Sequence, residues 1–195
     1  MTRRLLILAL AAVPLCAQTI TSQERETLIN HLEKTRKLFL ESLTGVSDGQ
    51  WNFKQAPERW SVGECAEHIT LTENMLFEYI TGQVLKTPAA ASASTSGRST
   101  DEEVLKTVVD RSKKGKAPEV IQPGGKFTSQ AALIEEFNRR RDHTIEYVRT
   151  TQEDLRSHLI GKMDGYQYLL MLSGHSQRHT LQIQEVKADS GYPKN

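Results

Sequence analysis

The chain is poor in cysteine. Its 195 residues hold only Cys16 and Cys65. The first lies in a leader whose removal the sequence predicts, so one thiol remains and no internal disulfide can form. Charge of one sign is also lacking: 25 Lys and Arg face 24 Asp and Glu. Loss of Arg3 and Arg4 with the leader brings the basic count to 23 and the net charge near −1. That excludes a general nucleic-acid binder, which would carry a strong basic excess. No apolar run reaches the length of a membrane span, and no sustained alternation of apolar and polar residues marks a sheet. The fold must therefore be held by an apolar helical core.

What is present begins with the leader. Arg3 and Arg4 precede an apolar run from Leu5 to Val13, Pro14 breaks it, and no acid occurs before Glu24. This layout is that of a secretory signal peptide over residues 1–18, cut after Ala17 or Gln18. Acylation of Cys16 is the rival, disfavoured by Leu15 in the preceding position. Residues 19–195 then form one domain, secreted or periplasmic.

Four long helices are predicted. The first covers Ser22 to Leu43, opened by a Thr21–Glu24 capping box and striped by Leu28, Leu32, Thr35, Phe39 and Leu43. The second starts at Ser61, where Glu64 completes a capping box and Trp60 and Cys65 have staple spacing. Its stripe reads Cys65, His68, Thr72, Met75 and Tyr79, and it ends between Gly82 and Lys86. The third spans Ser129 to Ser157 with Ile134, Phe137, Ile145, Val148 and Leu155 inward. The fourth spans Gly165 to Asp189, capped by Asp164 and Gln167, with Tyr168, Leu172, His175, His179, Gln182 and Val186 on its stripe.

Between the second and third helices lie about 40 residues, a length that suits a crossover along a helical bundle. The small-residue stretch Ala89–Gly97 reads as a mobile loop. A short helix from Asp101 to Lys113 follows, capped by Thr100 and Glu103, and then a Pro- and Gly-bearing loop over Lys114–Lys126. The expected fold is all-α, a four-helix bundle with a long crossover between helices 2 and 3.

Two histidines interrupt the inner stripe of the fourth helix. His175 and His179 are four apart, which puts their side chains about 40° apart around the axis and roughly 6 Å apart along it. Both rings can turn toward one ion. Buried without a partner, each ring would cost about 1–3 kcal/mol in unsatisfied nitrogen. His68 on the second helix offers a third imidazole, though helix positions alone do not show that the two faces meet at one depth.

Other residues are weighed against the same site. His31, His143 and His158 read as surface or boundary histidines, and Cys65 as a staple partner before a ligand. Glu64 is a cap. Glu67 reads as a solvated glutamate, with a base near the metal as its rival. Gln182 is placed to orient a ring or a bound water. Trp51 and Trp60 read as packing anchors at the mouth of the second helix. Arg139, Arg140 and Arg141 read as a solvated face paired with Glu135 and Glu136 at i, i+4.

The segments Trp51-Asn52-Phe53-Lys54-Gln55-Ala56-Pro57 and Trp60-Ser61-Val62-Gly63-Glu64-Cys65-Ala66-Glu67-His68-Ile69 resemble the start of the DinB-like family. His175-Ser176-Gln177-Arg178-His179-Thr180-Leu181-Gln182-Ile183 resembles its closing element. The resemblance implies a bundle with one crossover and a metal held by His68, His175 and His179; a divalent transition ion, zinc, nickel, iron or manganese, suits imidazole ligands. Characterised relatives include metal-dependent thiol transferases and isomerases, and an open position on a three-histidine ion would equally suit a hydrolase or transferase acting on a small molecule. The charge balance and the short apolar runs leave no nucleic-acid partner and no membrane span expected. An exported chain would not meet cytoplasmic thiols, and that weighs against the transferase. The alternative is a non-catalytic protein in which the metal fastens helices. No catalytic residue is assigned, and a homodimer remains open.

Overall fold

The structure is a computed structural model that describes residues 19–90, 97–112 and 115–194. The expected signal peptide (1–18) lies outside the described residues, as do 91–96 of the expected mobile loop and positions 113 and 114. The described chain is mostly helical. In order it forms α1 (Ser22–Leu43), α2 (Asp48–Asn52), α3 (Val62–Gly82), α4 (Asp101–Val109), α5 (Gln130–Thr150), a two-stranded hairpin of β1 (Leu159–Ile160) and β2 (Met163–Asp164), and α6 (Gly165–Lys187). No described helix is long and apolar enough to cross a membrane.

The helix starts follow their caps. Thr21, Ser61, Thr100 and Asp164 each accept the backbone N–H three residues on, and Glu24, Glu64, Glu103 and Gln167 return the bond. Each box satisfies two otherwise orphaned donors. The long helices pack pairwise: α6 lies on α3 and α1, α5 also lies on α3 and α1, and α4 lies across α6. Two apolar clusters fill the interior. One holds Leu28, Leu32, Leu76, Ile80, Val148 and Leu169; the other holds Phe39, Val62, Cys65, Ile69, Phe137 and Ile183. Each such side chain contributes about 1.5–3 kcal/mol on burial.

Three expectations are corrected. The third long helix ends at Thr150, not Ser157. Thr151 turns extended while its N–H still bonds the Tyr147 carbonyl. Leu155 is buried from the following turn, where its carbonyl accepts the Tyr166 N–H at 3.0 Å, so its helical spacing was fortuitous. The short helix ends at Val109 rather than Lys113.

The buried face of α3 is also broader than the predicted stripe. Ala66, Ile69, Glu73, Leu76 and Ile80 are buried, whereas Met75 and Tyr79 are only half-buried. With α5 and α6 both against it, α3 shows more than one face to protein.

The largest correction concerns the arginine run. Glu136 pairs with Arg139 and Arg140 as a solvated cluster would. Arg141 is fully buried. Its guanidinium meets Glu73 at 2.9 and 2.5 Å, and donates to the Leu32 carbonyl, Thr35 and Ser176. Thr35 also meets Ser173 at 3.0 Å. This polar layer ties together α1, α3, α5 and α6. Arg141 supplies the planar fork that a buried carboxylate needs, and the surrounding hydroxyls and carbonyl take up its other donors.

Candidate metal centre

The three histidines meet. His68 stands one turn and a half into α3, and its ring faces the two from α6. One nitrogen from each of His68, His175 and His179 lies within 4.8 Å of the others. The Nε2 atoms of His68 and His175 are 3.1 Å apart, and the ring centroids are 4.5–4.9 Å apart. His68 and His179 are buried, while His175 keeps partial exposure.

The far side of two rings is already committed. Nδ1 of His68 is 2.8 Å from the Ile121 carbonyl, which can only accept. That nitrogen therefore carries the proton, and Nε2 keeps its lone pair. Nδ1 of His179 is 2.9 Å from Oε1 of Gln182. Arg111 donates to the same oxygen at 3.2 Å, which fixes the amide orientation. His179 thus also donates from Nδ1 and points a bare Nε2 inward. Arg111 is in turn held by Glu185 through two contacts of 2.7 Å.

Electrostatics favour the same state. Burial lowers the His179 pKa to about 3, with the neighbouring His68 adding to the shift. Burial also lowers His68, against the opposing bond to Ile121. His175 falls well below its ordinary value through burial and then the two other rings. Neutral imidazole is the ligating form.

Without an ion, the short His68–His175 contact is a hydrogen bond in which His175 donates Nε2–H to the bare Nε2 of His68, which leaves the His179 Nε2 lone pair beside them without a donor of its own. A Lewis acid would instead take up all three lone pairs. A tetrahedral ion with bonds of about 2.0–2.1 Å would hold its nitrogens roughly 3.3 Å apart, close to the His68–His175 separation of 3.1 Å. The donor set fits a transition metal, and the outer partners on His68 and His179 are of the kind that orient metal ligands.

Both outer partners depend on the connection between α3 and α5. Ile121 sits in a 3-10 turn, Glu119–Ile121, and Arg111 follows α4. Glu67 anchors the same connection. It is 6% exposed, not solvated, and accepts the backbone N–H groups of Gly124, Gly125 and Lys126 at 2.8–3.1 Å. Its carboxylate is occupied by three amides, so it corrects the reading of Glu67 as a surface group. Gly174, next to His175, lets α4 approach: a Cβ there would fall 2.3 Å from Cγ1 of Val108.

The remaining candidates lie elsewhere. His143 packs on Phe77, and His158 meets the Thr87 carbonyl at 2.5 Å. His31 on α1 is half-buried. Neither they nor Cys65 belong to the cluster. Cys65 is buried in the apolar core, and burial pushes its thiol pKa up strongly. Trp60 shares that apolar cluster, but its ring also lies 4.7 Å from His68 and 5.9 Å from His179, so it walls the centre as well as packing. Trp51 packs as an anchor against Gly63. The centre opens into a cavity of about 710 Å³.

Comparison with known proteins agrees with this geometry. Residues 31–183 match the DinB superfamily. The chain belongs to that superfamily. DinB-like proteins bind divalent metals, and the histidine cluster lies within the matched span. The uncharacterized protein YuaE of Bacillus subtilis (strain 168) is 23% identical over 150 residues, covering 74% of this chain and 88% of its own. No solved structure matches this DinB protein.

Proposed function

We propose that this DinB protein holds one divalent transition metal (zinc, nickel, iron or manganese) on His68, His175 and His179, and acts as a metal-dependent hydrolase or transferase on a small molecule. The observation that carries this reading is the convergence of the His68 and His179 Nε2 lone pairs beside His175, with both Nδ1 atoms already spent on acceptors.

When bound, such an ion supplies Lewis acidity toward a carbonyl or phosphoryl oxygen. The chain's own residues do the rest. Ile121 and Gln182 hold the ring orientations, Trp60 flanks the His68 and His179 rings, and the cavity that Trp60 helps to line admits a small molecule to the histidines. A non-catalytic fastener of α3 and α6 is the competing reading. The cavity that reaches all three histidines favours the enzyme, because a fastener needs no access.

The same reading takes α1, α3, α5 and α6 as a four-helix bundle with one long crossover. It takes residues 1–18 as a signal peptide and the remainder as the exported domain.

Metal analysis of chain purified without a histidine tag or chelating resin tests the proposal. About one ion per chain is expected, and none in the His175→Ala/His179→Ala variant, whose helix content should persist by circular dichroism. Full occupancy in that variant would overturn the ligand assignment.

A further inference from the structure

The cavity over the histidines has a charge pattern of its own. Its wall includes Arg59, Arg111, Lys116 and Arg178, while Glu58 is the single carboxylate residue lining it. Glu185 pairs with Arg111 and lies 3.7 Å from Arg59, but it does not line the cavity. Three neutral imidazoles add no negative charge of their own.

Two of the cations have capacity to spare. The Arg59 guanidinium has that one long contact to Glu185 and no side-chain hydrogen bond among the described residues. Lys116 has no carboxylate within salt-bridge distance among the described residues. They come from separate parts of the chain, Arg59 just before α3 and Lys116 from the connection between α4 and α5. Trp60 presents an aromatic surface in the same cavity, beside the His68 and His179 rings. A volume of about 710 Å³ suits a small molecule rather than a polymer.

We propose that this cavity selects a small molecule carrying an oxyanion group, a carboxylate or a phosphate, on a planar apolar body. The oxyanion is recognised by Arg59 and Lys116, and the planar body rests on Trp60. Charge-assisted bonds in a partly enclosed cavity are stronger than their surface equivalents. The face of an aromatic ring adds apolar contact without an added polar requirement. The inference rests on the metal-centre reading only in taking the histidines as the reacting end of the cavity. The basic wall and Trp60 carry the choice of ligand.

Isothermal titration of the full chain with benzoate, phenylphosphonate and neutral benzamide tests it, in zinc-loaded and zinc-free protein whose metal content is measured alongside. Both anions are expected to bind at least ten-fold more tightly than benzamide. The Arg59→Gln/Lys116→Gln variant should lose ten-fold or more of anion affinity, keep its benzamide affinity, and keep its zinc. Trp60→Ala should weaken all three ligands. Anions that bind no better than benzamide, or equally well to the Arg59/Lys116 variant, would overturn the proposal. A chain that takes up no zinc yet keeps the Arg59- and Lys116-dependent preference would sink the metal reading and leave this one standing.

Discussion

Gln182 joins Arg111 to His179: its Oε1 accepts the guanidinium at 3.2 Å and the Nδ1–H of the imidazole at 2.9 Å. The metal-facing tautomer of His179 is thereby set from outside the centre. Gln182→Leu removes the acceptor while roughly keeping the side chain's shape. Metal affinity is expected to fall about 10–100-fold, as for other outer partners of ligating histidines, with little change in helix content. Competition with a chromophoric chelator measures it, and unchanged affinity would refute the role of Gln182.

Acid should destabilise the metal-free protein. An imidazole in the unfolded chain titrates near 6.5, whereas burial holds His179 to about 3 and lowers His68 and His175. Between those values the unfolded chain binds more protons. Stability is therefore full above about pH 6.5 and is lost as pH falls toward 3, on the order of 3 kcal/mol by pH 4 for His179 alone. Urea midpoints at pH 7.5 and 4.5 measure this loss, and His179→Ala should flatten the profile. Equal midpoints at the two pH values in the unaltered chain would contradict the account.

The buried Arg141–Glu73 pair yields a stability test. Arg141→Met strands the Glu73 carboxylate in the core, at a cost of about 3–5 kcal/mol. Adding Glu73→Leu removes the stranded charge and should recover a good part of that loss. Urea unfolding of both variants reads the difference. A double variant weaker than the single one would mean that the pair itself, and not its stranded half, carries the stability.

Gly174→Ala should weaken metal binding although residue 174 has no polar side chain to offer the ion. Alanine gains about 1 kcal/mol of helix propensity over glycine, but the new methyl would stand 2.3 Å from Val108 Cγ1. α4 must then retreat and draw Arg111 away from Gln182. A several-fold loss of metal affinity is expected, restored when Val108→Ala is added. Loss without restoration would place the effect within α6 itself.

Much of this was legible in the residues. Thr21, Ser61, Thr100 and Asp164 marked their helix starts because capping is local chemistry. His68, His175 and His179 were legible as candidates for one cluster because polar rings on an apolar stripe need partners, and the structure brings the three together. Gln182 was legible because it lies three positions after His179 on the same helix. The depth at which α3 meets α6 was not legible, since helical phase carries no information about axial offset. Arg141 was misread for a related reason: two arginines of the run do pair with Glu136, and its own partner Glu73 is 68 positions away. Glu67 was misread as solvated and Ile121 was not foreseen because each contact involves a backbone group, the amides that donate to Glu67 and the Ile121 carbonyl that accepts from His68, and backbone groups leave no signature in side-chain chemistry.

His68 and His175 stand 107 positions apart in the chain. No local stretch of sequence contains the whole centre: α6 alone brings together only His175 and His179. The complete three-nitrogen set exists only after α6 has docked on α3 and the connecting segment has closed over His68. Imidazole sites accept several ions whose affinities follow a common order, so supply decides among them. On the proposed metal reading, the ion would then be a record of where the chain folded: the compartment in which α6 reaches α3 would choose the metal.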